Sequence, residues 1–390
     1  MRIIIRASVS AVAVVALAVP PAARAETQQR GDRGVRVDTL ESGRIVISNP
    51  DLPETGPQSA PTLVEVLRIG SLDDTCDALD RVISLAVDGD GLIYAADWRA
   101  DEIQVFSPRG ECVRTIGRSG EGPGEFGMLA GIVWQPPGYL WAMDAGENRL
   151  TVFDPLGTVL ATHRLQLGPA ASLPWWMRVD ADDRLHFWRP DLDRILMYGP
   201  GPGLDSPGSF PVPQAPPSVT DTEQIGRGGS TLFVQRSIPY SSPRVRWTVN
   251  PDGNVWLAST NEFALHETTY SGDTLRTVRL DRPLPRLEGQ ERDSVADAAG
   301  IPARRLPSHK YALENIRTSP DGWVWVETEK GAIQAWEVFD ERGYHVGRVA
   351  SPVPIEKEPH PIFGNGMVTG VTLGEFDVPY IVQLRIVRGG

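Results

Sequence analysis

The chain has 390 residues, with 38 basic and 50 acidic side chains and a formal charge of −12. That acidic balance argues against nucleic acid as a partner, which needs a basic footprint. After the first 25 residues no stretch approaches the roughly 18 apolar residues of a spanning helix, so no membrane span is expected.

Residues 1–25 have the layout of a signal peptide. Arg2 and Arg6 open it, Ala7 to Val19 form an apolar run, and Ala23-Arg24-Ala25 is a small-x-small cleavage site. No cysteine stands at that site, which argues against a lipid anchor. Cleavage removes three arginines and no acid, leaving 35 bases against 50 acids, or −15. The mature chain is expected to be exported, to the periplasm or beyond the cell. Lysine occurs only at Lys310, Lys330 and Lys357, an arginine bias that points to a GC-rich bacterial source rather than to function. Residues 26–61 read as a polar, Pro-rich leader. Within it Gly43 to Ser48 is a short strand that either lies against the body of the protein or belongs to the leader.

From Thr62 onward the chain is β-patterned. Thr62 to Ile69 is one strand, and then a unit of about forty residues recurs six times. Each copy centres on a tight turn and an apolar strand: Asp88 to Tyr94, Pro136 to Trp141, Asp182 to Phe187, Pro251 to Trp256, Pro320 to Trp325, and a degenerate Gly364 to Val368. In the first five the next strand ends in an aromatic, Phe106, Phe153, Tyr198, Tyr270 or Phe339. Gly, Asp and Asn fill the turns because they tolerate the positive φ of a short hairpin. Aromatic and β-branched residues fill the strands because they pack well between stacked sheets.

Four short strands per repeat predict an all-β, six-bladed β-propeller of antiparallel blades at 82–118, 129–167, 174–213, 243–281, 312–350 and 360–390. Blade six has only three strands of its own. The strand at Thr62 to Ile69 can supply the fourth, closing the ring and removing two exposed edges. A seventh blade stays open if Thr231 to Ile238 belongs to an extra small sheet. The domain organisation is then signal peptide 1–25, leader 26–61 and propeller 62–390.

Cys76 and Cys112 are the only cysteines and fall in or just before blade one. In an oxidising compartment they are expected to form a disulfide near the closure, the alternative being two thiols. Residues 200–224 form a Pro/Gly-rich connection. The insertion 282–310 between blades four and five holds the one convincing helix, Glu288 to Ala299. It should emerge on the face that carries the second-to-third strand loops, as a lid or as a tolerated decoration.

Gly117-x-x-Gly120-x-Gly122-Pro123-Gly124-Glu125-Phe126, then Gly131-Ile132, then Asn148-Arg149-Leu150-x-Val152-Phe153-Asp154-x-x-Gly157 resembles an NHL repeat. The resemblance is close in blades one and two and looser in four and five. Taken over residues 62–390, the chain resembles exported bacterial six-bladed propellers with NHL and TolB-like repeats. That group holds binding scaffolds, calcium-dependent lactonases of the gluconolactonase type and a peptidylglycine-amidating lyase. The resemblance therefore implies a scaffold or a calcium- or zinc-dependent hydrolase or lyase, and carries no catalytic residue over to this chain.

Several motifs have plainer readings. Gly122 to Gly127 matches G-x-G-x-x-G, but it leads into a strand rather than the helix a dinucleotide site requires. Asp88/Asp90 and Asp180/Asp182/Asp183 look faintly like calcium loops, yet they coincide with the repeat's hairpin turn and lack the distal ligands. No H-E-x-x-H or close histidine pair exists, so a zinc site would have to assemble across blades. His186 and His266 lie inside strands, whereas His309 and His360 precede innermost strands and could face the channel. No cofactor is predicted, although calcium could bind in the channel through carboxylates of several blades.

The loops of the inter-blade face hold the ligand candidates. These are Asp97, Arg99, Asp144, Asn148, Arg149 and Arg189 after second strands. Before innermost strands come Glu125, Phe126, Trp175, Trp176, Tyr240, Tyr311, Glu314, Asn315 and His360. Aromatics mixed with arginines and acids around one concavity suit a polar ligand such as a glycan or peptide. For Asp144, Asn148 and Arg149 the competing reading is structural, because the pattern belongs to the repeat itself. The sequence supports a monomeric binding scaffold for a glycan, peptide or envelope protein ahead of an enzyme.

Overall fold

The computed structural model describes residues 25–30, 34–51, 60–72, 76–165, 174–189, 191–217, 219–227, 230–328 and 334–388. Six four-stranded blades surround a central channel. The innermost strands are Val82–Val87, Leu129–Gln135, Met177–Val179, Val245–Val249, Asn315–Thr318 and Ile362–Gly364. Blade six is completed by Thr62–Ile69, which pairs antiparallel with Pro379–Val387, so the N-terminal strand closes the ring. Beyond it, Ile45–Pro50 pairs parallel with Thr274–Asp281, the outer strand of blade four, and extends that sheet. Among the described residues no seventh blade forms. Thr220–Arg227 and Ser230–Ser237 make a two-stranded hairpin between blades three and four.

One tether recurs in blades one, two, three and five and explains their turn motif. A residue at the end of the innermost strand accepts a hydrogen bond from a ring six positions later. Tyr94 donates to Asp88 at 3.1 Å, Trp141 to Gln135 at 2.8 Å and Trp325 to Ser319 at 3.3 Å. In blade three the ring is His186, whose Nε2 donates to Asp180 at 2.8 Å while Tyr270 donates to its Nδ1 at 2.5 Å. A carboxylate can only accept, which fixes that tautomer. The Tyr270–His186–Asp180 chain thus occupies a structural position of the repeat. Asp88 and Asp180 also accept backbone N–H groups of their own turns, so the loops that look like calcium sites are hairpin turns.

Each blade interface has its own apolar cluster, and these clusters are the core. The interface of blades four and five buries fourteen apolar residues, including Ile47 and Val35 of the N-terminal segment. Among the described residues, the interface of blades three and four buries four: Ile195, Phe210, Val255 and Leu257. Gly131 allows blade three to approach blade two, since a Cβ there would lie 2.5 Å from the Trp175 carbonyl. Cys76 and Cys112 form a disulfide. The insertion carries the helix Gly289–Ala299, which packs with Leu287, Ile301 and Leu306 onto Ile238 and Tyr240. No described helix is long and apolar enough to cross a membrane.

Candidate functional site

Three innermost strands each place one arginine at the axis. Met177–Val179 carries Arg178, Val245–Val249 carries Arg246 and Asn315–Thr318 carries Arg317. Arg178 and Arg317 hold matching register positions, each one residue before the inner strand's last pair. Their guanidinium carbons lie 5.1 and 4.4 Å from the ring centre of Trp176, within cation–π range. The His360 ring lies 3.8 Å from the same ring.

Among the described residues, none of the three guanidiniums has a carboxylate partner. Arg178 donates to the Met177 carbonyl at 2.9 Å and Arg246 to the Glu314 carbonyl at 2.6 Å. Arg317 is 5% exposed. Its Nη1 donates to Asn315 Oδ1 and to the Ile316 carbonyl, while Nε and Nη2 have no partner. Burial pulls Arg178 down to about 10 and holds Arg317 well below the usual arginine range, with Arg178 adding to the effect on Arg317. Burial lowers Arg246 too, helped by Arg244. His360 is pushed below its ordinary value by burial, then by Arg317, Arg178 and Arg246, so it is neutral at physiological pH. Arginine keeps its proton under such shifts. The acids within electrostatic reach are Glu314 and Glu327, and Glu327 already accepts from Gln334.

Two cavities meet at Trp176 and His360. One, of about 290 Å³, runs along the channel from Trp176 and His360 past Arg178 and Arg317 to Asp180 and Ser319. The other, of about 590 Å³, lies between blades three and four. Trp188, Gln214, Arg244, Arg246, Trp247 and Asn315 are among its lining residues, with Asp193 and Glu358 as its acids. It sits where the interface cluster is thinnest. The indole N–H groups of Trp175 and Trp188 and Nδ1 of His360 also lack partners.

Of the residues predicted from sequence, the cavities gather Trp175, Trp176, Asn315 and His360. The others line neither. Asp97 and Asp144 are buried and accept backbone N–H groups both of their own loops, at Arg99 and Gly146, and of the segments leading into the innermost strands, at Asp80 and Met128. Arg149 donates to Asp144 at 3.0 Å and to the Glu125 carbonyl at 2.6 Å, tying the repeat together. Asn148 is the turn residue at φ 50°. Glu125 accepts from Arg118, and Arg99 and Arg189 pair with Asp80 and Asp191. Phe126 is fully buried against Phe153, in the core and not on a rim. Tyr240 stacks edge-on with Tyr311, whose hydroxyl donates to the Ser242 carbonyl. Glu314 lends its carbonyl to Arg246.

A zinc site on His309 and His360 does not assemble. His309 is exposed on the insertion beside Ser308, and no cluster of three potential metal ligands occurs among the described residues. Gly122 to Gly127 forms a turn in which Glu125 folds back on Gly122, with no helix. Residues 282–310 line neither cavity.

Sequence reasoning missed Arg178, Arg246 and Arg317 because attention went to loops. The available signal was a comparison of inner strands at matched register. Ser84-Leu85-Ala86 and Gly131-Ile132-Val133 carry no charge, whereas the strands of blades three, four and five each carry one arginine.

Residues 71–191 match the DUF5128 family, described as a 6-bladed beta-propeller. No curated protein matches the chain. Among solved structures, a candidate exported protein from Bacteroides fragilis is similar at 11% identity and a TM-score of 0.50, covering 88% of this chain and all of that one. A DUF4221 member from Bacteroides vulgatus is similar at 11% identity and TM-score 0.46, covering 85% of this chain and 99% of its own. Virginiamycin B lyase from Staphylococcus aureus is similar at 14% identity and TM-score 0.43, with 86% and 98% covered. At 11% identity the likeness to the Bacteroides fragilis protein shows the fold alone. The chain is a six-bladed β-propeller.

Proposed function

We propose that the protein is an exported binding scaffold that takes a ligand on its channel face without transforming it. The observation that carries this reading is the junction of the two cavities at Trp176 and His360. Unpartnered donors from Arg317, Trp175 and Trp188 border the same cavities. A buried donor without a partner costs about 1–3 kcal/mol, so a site rich in them gains by receiving acceptors. A glycan, a peptide or an exposed loop of an envelope protein supplies such acceptors. The signal-like residues 1–25 and the Cys76–Cys112 disulfide support an oxidising, exported location. The Asp144–Arg149 tie supports an NHL-like reading of the blades.

A metal-dependent hydrolase or lyase is the rival, and arginines on the axis disfavour it, since they repel a divalent cation. The test is binding of the mature protein to glycan and peptide arrays, with Trp188→Ala in parallel. Specific binding lost in the variant supports the reading. Turnover of a lactone or amide that depends on added calcium or zinc would replace it.

A further inference from the structure

We infer that the channel is an anion-binding site, in which Arg178 and Arg317, both packed against Trp176 and backed by Arg246, receive an oxyanion group of a small ligand. This inference deepens the scaffold reading and rests on the same channel face.

An ionised group taken out of water costs several kcal/mol unless it is paired. Arg317 is 5% exposed and uses only one of its three nitrogens. Arg178 and Arg246 bring two more positive charges within electrostatic reach, and each guanidinium meets a backbone carbonyl rather than a carboxylate. Elsewhere several part-buried arginines meet a buried carboxylate: Arg149 with Asp144, Arg184 with Asp180 and Arg282 with Glu337. The channel arginines have no such partner among the described residues, and they sit beside an open cavity.

Geometry sets the kind of ligand. The free Nε and Nη2 of Arg317 form one edge of the guanidinium fork, which matches the two oxygens of a carboxylate, sulfate or phosphate. Cation–π contact with Trp176 holds the guanidiniums while leaving their N–H edges for a ligand. His360 is neutral and adds a polar atom without adding charge. The cavity of about 290 Å³ accepts a small acid or the acidic end of a larger molecule, with the adjoining 590 Å³ cavity taking the remainder. The shared chemistry is an oxyanion, and its source is either a carboxylate or a sulfate or phosphate ester.

The experiment is a thermal-shift titration of the mature protein in chloride-free, low-ionic-strength buffer. Inorganic sulfate, inorganic phosphate and citrate are the probes, and glucose is the neutral control. Wild type is expected to show saturable stabilisation by several degrees with at least one anion and none with glucose. Arg317→Met and Arg178→Met should lose the response at least tenfold in half-saturating concentration. Arg36→Gln, at an exposed arginine outside the channel, should keep it. Arg317→Met should also raise the melting temperature of the ligand-free protein, which shows that the variant folds.

A wild-type response to citrate alone assigns a carboxylate ligand, and one to sulfate or phosphate assigns an ester. No saturable response, or one that survives in Arg317→Met, overturns the inference. Array binding that depends on Trp188 but tolerates loss of the channel arginines would overturn it while leaving the scaffold reading intact.

Discussion

Two clusters of buried charge stand in this propeller, and they are built oppositely. Between blades four and five, Glu337 is fully buried and meets Arg282 at 2.6 Å, His345 at 2.9 Å and Arg348 at 3.4 Å. Arg282 is shared with Asp51 at 2.5 Å, and Asn49 fixes the backbone of His345 at 2.9 Å. Every charge there has a partner, and the cluster pins the N-terminal strand Ile45–Pro50 to the ring. In the channel, three arginines converge with no paired carboxylate among the described residues, beside two cavities. Balanced charge marks structure and unbalanced charge marks a place for something else. Burial alone does not separate the two, because Glu337 and Arg317 are both deep.

The largest expected effect comes from breaking the balanced cluster. Glu337→Ala leaves Arg282 half-supported and should destabilise the fold by roughly 3–5 kcal/mol, the usual cost of removing one partner of a buried pair. Urea denaturation at neutral pH measures it; a loss under about 1 kcal/mol would erase the contrast between the clusters. Acid sharpens the same point. Glu337 is held down to about 2, against burial, by hydrogen bonds and charge from His345 and Arg282. Its ordinary value is near 4.5. The stability it contributes is therefore fully present above about pH 5 and lost as pH falls toward 2, on the order of 2–3 kcal/mol. Denaturation midpoints between pH 6 and 2 should fall more steeply in wild type than in Glu337→Gln.

The channel should respond with the opposite sign. Arg317→Met removes a buried charge that lacks a partner and fills the space with a side chain of similar length. Stability should rise by about 1–3 kcal/mol in the absence of ligand. A comparable loss would place Arg317 with the structural arginines. The smallest effect belongs to Arg36→Gln, exposed beside Asp38, which should shift stability by no more than about 0.5 kcal/mol.

The fold was legible because a propeller writes its architecture locally and repeatedly. Asp88 to Tyr94 and Pro320 to Trp325 announce a turn and a strand through residues a few positions apart, and the structure adds the tether that requires them. The ring closure was legible for a related reason: blade six lacked a strand and Thr62–Ile69 was spare. The site was not legible, because compensation of charge is a property of three dimensions. Asp144 and Arg149 looked like ligand groups and turned out to satisfy each other, while Arg178, Arg246 and Arg317 looked like isolated interruptions of strands some seventy residues apart. Only folding shows that, among the described residues, no carboxylate pairs with them.

The most direct measurement is anomalous diffraction from crystals of the mature protein soaked in selenate, an oxyanion with the shape of sulfate. A selenium peak is expected in the channel within hydrogen-bonding distance of Nε or Nη2 of Arg317, absent from crystals of Arg317→Met. Selenium only on exposed arginines, with ordered water alone completing the Arg317 guanidinium, would contradict it.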